Sequence, residues 1–136
     1  MKFYETKIDC QKNGVHQITD WVRQCIADSG VKSGIAVISA PHTTSGISLT
    51  PYMLHDYDLQ DVQIQLDVIV PQRVDYTHQF DTPADAAGHT KSAMMGTNTT
   101  LIVEDGKPVL GHSQGIFFYE FDGPRLQKCY LSVYSD

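Results

Sequence analysis

Ten lysines and arginines are all the positive side chains in this 136-residue chain, against sixteen aspartates and glutamates, a net charge of −6 with histidine neutral. They are scattered, so no basic stripe offers the footprint that nucleic-acid binding requires. Cysteine is scarce as well. Cys10, Cys25 and Cys129 make an odd number without a CxxC pair. A disulfide framework is therefore not expected, and a reducing compartment is the simpler setting. No apolar run approaches about 18 residues, so no membrane span is expected. The start, Met1 to Lys7, lacks the apolar core of a signal peptide, and the expected location is cytoplasmic.

Familiar binding strings are missing too. There is no G-x-x-x-x-G-K-[ST], no G-x-G-x-x-G, no H-E-x-x-H, no EF-hand loop and no G-x-S-x-G elbow. No two of the six histidines stand four apart, so a helical His–His metal pair is absent. A phosphorylated substrate would have to be held by a local cluster or a metal, against an unfavourable overall field.

What is present is a globular composition, 41% hydrophobic and 19% charged, with no repeat, linker or low-complexity tract. One domain over residues 1–136 is expected, long enough to bury about two thirds of its unfolded surface. Residues 2–9 alternate as an opening strand, and after the Lys12-Asn13-Gly14 turn Val15 to Ile18 is expected to pair back. Ile18, Trp21, Val22, Cys25 and Ile26 form one helical stripe. Thr19 or Asp20 would cap that helix, and Gly30 would end it. Gly34 to Ala40 reads as a buried strand, and pairing resumes over Gly46 to Thr50 after Pro41.

Residues 56–70 fit two patterns equally. Val62, Ile64, Leu66 and Val68 alternate as in a strand, whereas Leu59, Val62, Leu66 and Ile69 share a helical face with Asp56 or Asp58 as its cap. Residues 71–84 read as loop, and Ala84 to Met95 as a helix stopped by Gly96. Strands follow: Thr99 to Val103, the Asp105-Gly106 hairpin signal, Val109-Leu110, Ile116 to Phe121, and Leu126 to Tyr134. Two or three helices among about seven strands make an α+β domain.

Three polar clusters interrupt this apolar frame. His42, Thr43, Thr44 and Ser45 follow a buried strand, where their hydroxyls would serve either a ligand or local backbone groups. Gly88-His89-Thr90-Lys91-Ser92 lies on a helix and would offer an imidazole and an ammonium to an anion, or simply face solvent. Gly111-His112-Ser113-Gln114-Gly115 precedes an aromatic strand on which Glu120 shares the face of Ile116 and Phe118. An inward carboxylate needs a partner, and Arg125 across the turn is the obvious one. His78 reads as solvated, and His16 and His55 as surface residues.

Taken together these strings resemble the YjbQ-like family, often labelled secondary thiamine-phosphate synthase. The resemblance rests on His42-Thr43-Thr44-Ser45-Gly46-Ile47-Ser48-Leu49-Thr50, Val70-Pro71 and Gly88 to Gly96. Leu110 to Ile116 and Glu120-Phe121-Asp122-Gly123-Pro124-Arg125 complete it. It implies an α+β sandwich of mostly antiparallel sheets with flanking helices, and it favours helix over strand at 56–70. It further implies a homotrimer with a pocket near subunit contacts, and a reaction joining a pyrimidine diphosphate to thiazole phosphate. On that reading His42, His89 and Glu120 are the catalytic candidates, with Asp85 a second carboxylate able to balance a carbocation. Thr43, Thr44, Ser45, Lys91, Gln114 and Arg125 would bind substrate, and His42, His89 and His112 would hold a divalent metal, Zn or Mg.

The sequence departs from the family pattern at Pro51 to His55, where a polar, acidic stretch is usual, and at His112, where threonine is common. Two alternatives therefore stand beside the synthase: a metal-dependent hydrolase or lyase, and a trimeric small-ligand or metal-binding protein without turnover.

Overall fold

The computed structural model describes the backbone of residues 1–51 and 56–136, and the side chains of residues 1–51 and 61–136. The elements run β1 (Lys2–Cys10), β2 (Val15–Gln17), α1 (Thr19–Ser29), β3 (Ser33–Ser39), β4 (Ser45–Pro51), α2 (Asp56–Ile69) and α3 (Pro83–Met95). They continue with β5 (Asn98–Glu104), β6 (Lys107–Pro108), β7 (Gln114–Glu120) and β8 (Arg125–Ser135). The strands form two antiparallel sheets, one ordered β1-β8-β3-β5-β6 and the other β2-β7-β4. No described helix is long and apolar enough to cross a membrane.

Alternation along the strands builds the core. Ala36, Ile38, Leu101, Val103, Cys129, Leu131 and Val133 from the large sheet meet Ile47, Ile116 and Phe118 from the small one. The predicted stripe of α1 joins them through Ile18, Val22, Cys25 and Ile26, with Trp21 packed at the margin. On the other face of β7, Phe117 and Tyr119 lie against Val62 and Leu66 of α2. Strand β7 is thus covered on both faces, which is why its apolar run is nearly continuous.

Several local expectations hold. Gly30 ends α1 in the left-handed conformation at φ 74°, which costs an L side chain more than glycine. Asp105 and Gly106 make the β5–β6 turn with φ of 51° and 72°. Residues 56–69 are helical; the caps proposed at Asp56 or Asp58 lie outside the described side chains, as does His55.

Others are corrected. Strand β2 pairs with β7, not with β1: Val15, His16 and Gln17 face Tyr119, Phe118 and Phe117. Neither Thr19 nor Asp20 caps α1, whose N-cap residue is Ile18. The buried Thr19 hydroxyl instead accepts the Ile116 N–H at 2.9 Å, tying the helix to β7. Regular pairing in the hairpin ends at Pro108, although the Val109 N–H still donates to Ile102 O at 2.8 Å.

The new pairing of β2 also changes the environment of His16. Cross-strand partners share a face, so His16 lies on the Phe118 side, half buried, with Nε2 out of contact with solvent. No described group hydrogen-bonds that nitrogen. Burial pulls its pKa below the ordinary 6.5, with Asp9 and Glu120 opposing. A depressed histidine pKa means that the unfolded chain binds the proton more readily, so stability is lost as pH falls below 6.5. Urea titrations from pH 7.5 to 5 are expected to show a shallower acid-side loss in His16→Phe than in wild type. Identical slopes would count against this assignment.

Candidate functional site

Glu120 ends β7 with no solvent exposure. Its carboxylate accepts from the Thr44 hydroxyl at 2.6 Å, the Ser45 hydroxyl at 3.0 Å, the Gln127 amide at 2.6 Å and the Asp122 N–H at 3.1 Å. Four donors from three segments fill most of its lone-pair directions. The inward orientation follows from the two-residue period of β7, but the expected partner is displaced. Arg125 Nε is 4.0 Å from Glu120 Oε1, while its Nη2 donates to Asp122 Oδ2 at 2.7 Å. Gln127 and Ser45, rather than a simple cross-turn ion pair, complete the carboxylate.

From this buried node the contacts lead outward to His42. Thr44 Oγ1 is 2.9 Å from His42 Nδ1, and Arg125 Nη1 is 3.1 Å from His42 Nε2. His42 lines an open cleft of about 510 Å³ together with Ala40, Pro41, Thr43, His89 and Ser92. His89 reaches it because α3 packs tightly on β4. A Cβ at Gly88 would stand 3.3 Å from Thr44 Cγ2, and one at Gly46 would stand 2.8 Å from Met95 Sδ. Two glycines therefore let the helix approach the strand and bring residues 42 and 89 to one cleft. The Ser92 hydroxyl fixes the contact by donating to Ser45 O at 2.6 Å.

The helix start builds a second cluster behind His89. Thr82 caps α3, its hydroxyl accepting the Asp85 N–H at 3.1 Å, and Pro83 follows with its φ already suited to a first turn. Asp85, buried in that first turn, is where the helix dipole favours a carboxylate. His78 Nε2 is 3.2 Å from Asp85 Oδ2, and His89 Nε2 is 3.4 Å from Asp85 Oδ1. The two rings lie 4.7 Å apart between centroids. One ligand atom from each of the three residues falls within 4.8 Å of the others. Ligands on a tetrahedral zinc stand about 3.3 Å apart, given Zn–N and Zn–O bonds of about 2.0–2.1 Å. The donor set and spacing fit a divalent metal.

Sequence reading missed His78, taken as solvated; in the chain it leans on Asp85. A signal was present, because Asp85 and His89 stand four apart on one helix face, a spacing that serves a His–carboxylate pair as well as a His–His pair. Of the metal set proposed from sequence, His42 and His89 share the cleft, while among the described residues His112 joins no group of three metal-ligating side chains. His112 is exposed in the turn before β7. Six strand steps of about 3.3 Å put Gln114 about 20 Å from the Glu120 end. Gln114 closes its own loop instead, accepting the Gly111 N–H at 2.8 Å. Lys91 is also diverted: its side chain is 2% exposed and its ammonium pairs with Asp67 of α2. Thr43 is exposed on the cleft wall, whereas Thr44 and Ser45 are buried against Glu120 and do not face the cleft as substrate ligands.

The cysteines stay outside this chemistry. All three are free and buried, and burial pushes the thiols of Cys10 and Cys129 up to about 12, away from thiolate reactivity.

Comparison with known proteins agrees with this architecture. The family model described as "UPF0047 protein YjbQ-like" matches residues 4–136. A UPF0047 protein of Methanocaldococcus jannaschii is 42% identical over 123 residues, 88% of this chain and 83% of that protein. YugU of Bacillus subtilis, another UPF0047 protein, is 36% identical over 118 residues, 85% of this chain and 86% of that protein. Among solved structures, a YbjQ-like protein of unknown function from Sulfolobus solfataricus superposes with a TM-score of 0.91 at 25% identity. That match covers 99% of this chain and 97% of the other.

Proposed function

The chain belongs to the UPF0047 YjbQ-like family, and on that footing we propose that it is a metal-dependent enzyme acting on a small phosphorylated substrate. One observation carries the reading: His89 belongs both to the His78–Asp85–His89 cluster and to the wall of the cleft. Three protein ligands with a fourth position left for water or substrate is the arrangement of catalytic rather than structural zinc. A metal held there supplies Lewis acidity to a phosphoryl oxygen or lowers the pKa of a bound water. His78, Asp85 and His89 would each give the metal one ligand atom, and Pro41, His42 and Thr43 line the same cleft as His89.

The charge inventory explains why the metal is central. Lys91 is committed to Asp67, and Arg125 is matched by Asp122 with Glu120 close by. Neither is a free cation for a diphosphate. Transfer from a pyrimidine diphosphate to thiazole phosphate is the most specific form of this proposal, and a metal would have to steady its leaving group. Metal-assisted hydrolysis of a phosphate ester is the other form. We propose a homotrimer as the working assembly; exposed Ile64, Val68, Ile69, Val74 and Phe80 along α2 and the loop after it offer apolar surface for it.

The test is elemental analysis beside two assays, on the two thiamine precursors and on p-nitrophenyl phosphate, with added Zn²⁺, Mn²⁺ or Mg²⁺. Wild type and His42→Ala are expected to hold one metal per chain and His89→Ala essentially none, with turnover only when metal is present. Sedimentation of the same samples should give the mass of three chains. Equal metal content in wild type and His89→Ala removes the site. Bound metal with no turnover on either substrate leaves a binding protein.

A further inference from the structure

His42 touches three groups that restrict which of its nitrogens carries the proton. Arg125 Nη1 at 3.1 Å from Nε2 has only hydrogens to offer. Thr44 Oγ1 at 2.9 Å from Nδ1 spends its own hydrogen on Glu120 Oε1 at 2.6 Å, so towards the imidazole it is an acceptor. The Thr44 backbone N–H, 3.1 Å from Nδ1, is a donor. A neutral imidazole has one N–H and one lone pair, so it cannot satisfy all three.

The two tautomers differ in what they leave unmade. With the proton on Nδ1, the ring donates to Thr44 Oγ1 and accepts from Arg125, and the Thr44 N–H, aimed at Nδ1, is set against another donor. With the proton on Nε2, the ring accepts only from the Thr44 N–H, and its own N–H points at the guanidinium. Each arrangement sets one pair of donors against each other, but the first makes two hydrogen bonds, one of them charge-assisted, whereas the second makes one and turns the Nδ1 lone pair towards a Thr44 oxygen that can only accept. The first wins.

We propose that Thr44 is a positioning residue that links buried Glu120 to His42, holding His42 in the Nδ1–H form with its Nε2 lone pair capped by Arg125 at the cleft. Glu120 acts through Thr44 and does not touch substrate, which suits a carboxylate with no exposure. In turnover Arg125, 31% exposed and already bound to Asp122, withdraws from Nε2. An O–H bond of water or a substrate hydroxyl then breaks, its proton forms a new N–H bond at Nε2, and the oxygen uses the electron pair it keeps to bond the substrate phosphorus as the bond from phosphorus to the leaving oxygen breaks and its pair departs with that oxygen. Only this last role rests on the cleft being catalytic; the tautomer does not.

The tautomer is read directly, on chelator-treated ¹⁵N-labelled protein, from two-bond ¹H–¹⁵N correlations of the imidazoles, assigned by the peaks lost in His42→Asn. Wild type and Thr44→Ser are expected to show the Nδ1–H pattern for His42. Thr44→Val leaves an Nδ1–H without an acceptor and opposed by the fixed backbone N–H, while the part-exposed Arg125 can turn away to Asp122, so the ring is expected to move to Nε2–H. An Nε2–H pattern in wild type overturns the proposal, and that spectrum decides even when Thr44→Val does not fold. An unchanged pattern in a folded Thr44→Val overturns it as well. If metal-dependent turnover is found, Thr44→Val should lower kcat at least about tenfold with little change in KM, and Thr44→Ser should restore it. Unchanged kcat would remove the role in turnover and leave the metal reading intact.

Discussion

Glu120→Ala is expected to destabilise the protein by about 3–5 kcal/mol, the largest loss from any single side chain of the site. Four donors converge on that carboxylate from Thr44 and Ser45 at the start of β4, from Gln127 of β8 and from Asp122 in the turn, and all four residues are buried. Removing a shared acceptor strands each donor at about 1–3 kcal/mol apiece when nothing relaxes, and partial collapse of the small cavity lowers the sum. Glu120→Gln keeps the shape but turns an NH₂ towards groups that themselves donate, so a smaller loss of about 1–3 kcal/mol is expected. Urea unfolding at pH 7 measures both. A loss under about 1 kcal/mol for the alanine variant would mean that the network contributes little, contrary to its burial.

That network shows where the sequence was readable. The inward direction of Glu120 follows from the strand period alone, since Ile116 and Phe118 share its face. The helix α1 was readable for the same kind of reason: five apolar residues at helical spacing and a glycine at the stop are local signals. Lys91 was not readable. Its position on a helix beside His89 suggested a ligand for anions, and only the packing of α2 on α3 reveals that Asp67 takes its charge.

Residues 56–70 stayed open on pattern alone for a related reason, and only the family resemblance favoured the helix that is found. A helix lying across a twisted sheet with one narrow apolar face can present the same letters as an alternating strand. Val62 and Leu66 face Phe117 and Tyr119, whereas Ile64, Val68 and Ile69 are exposed, so apolar residues occupy both sides of the helix and blur its period. Partner choice was equally hidden at β2, because alternation states which face a residue takes but not which strand lies beside it. His78 combined both difficulties. It sits in a loop with no period, and its partner Asp85, seven residues on, is fixed by the Thr82 cap.

Added Zn²⁺ is expected to raise the melting temperature of the chelator-treated wild type by about 10 °C. A ligand that binds only the folded chain, at a hundred times its dissociation constant, contributes about 2.7 kcal/mol. In a domain of this size each kilocalorie moves the midpoint by about 2–8 °C. The three ligands come from the loop before α3 and from its first and second turns, so the unfolded chain does not hold them together and the linkage is full. Asp85→Asn is expected to lose most of the shift, because the amide removes the negative ligand and presents an NH₂ towards one imidazole. Whatever that substitution costs the fold cancels, since the quantity compared is the change on adding metal within each variant. His112→Ala, at the other end of β7, is expected to keep the full shift. The gain should shrink as pH falls below neutral, because protons compete with the metal for both imidazoles. A shift of equal size in wild type and Asp85→Asn, or one abolished by His112→Ala, would transfer the metal to residues other than His78, Asp85 and His89.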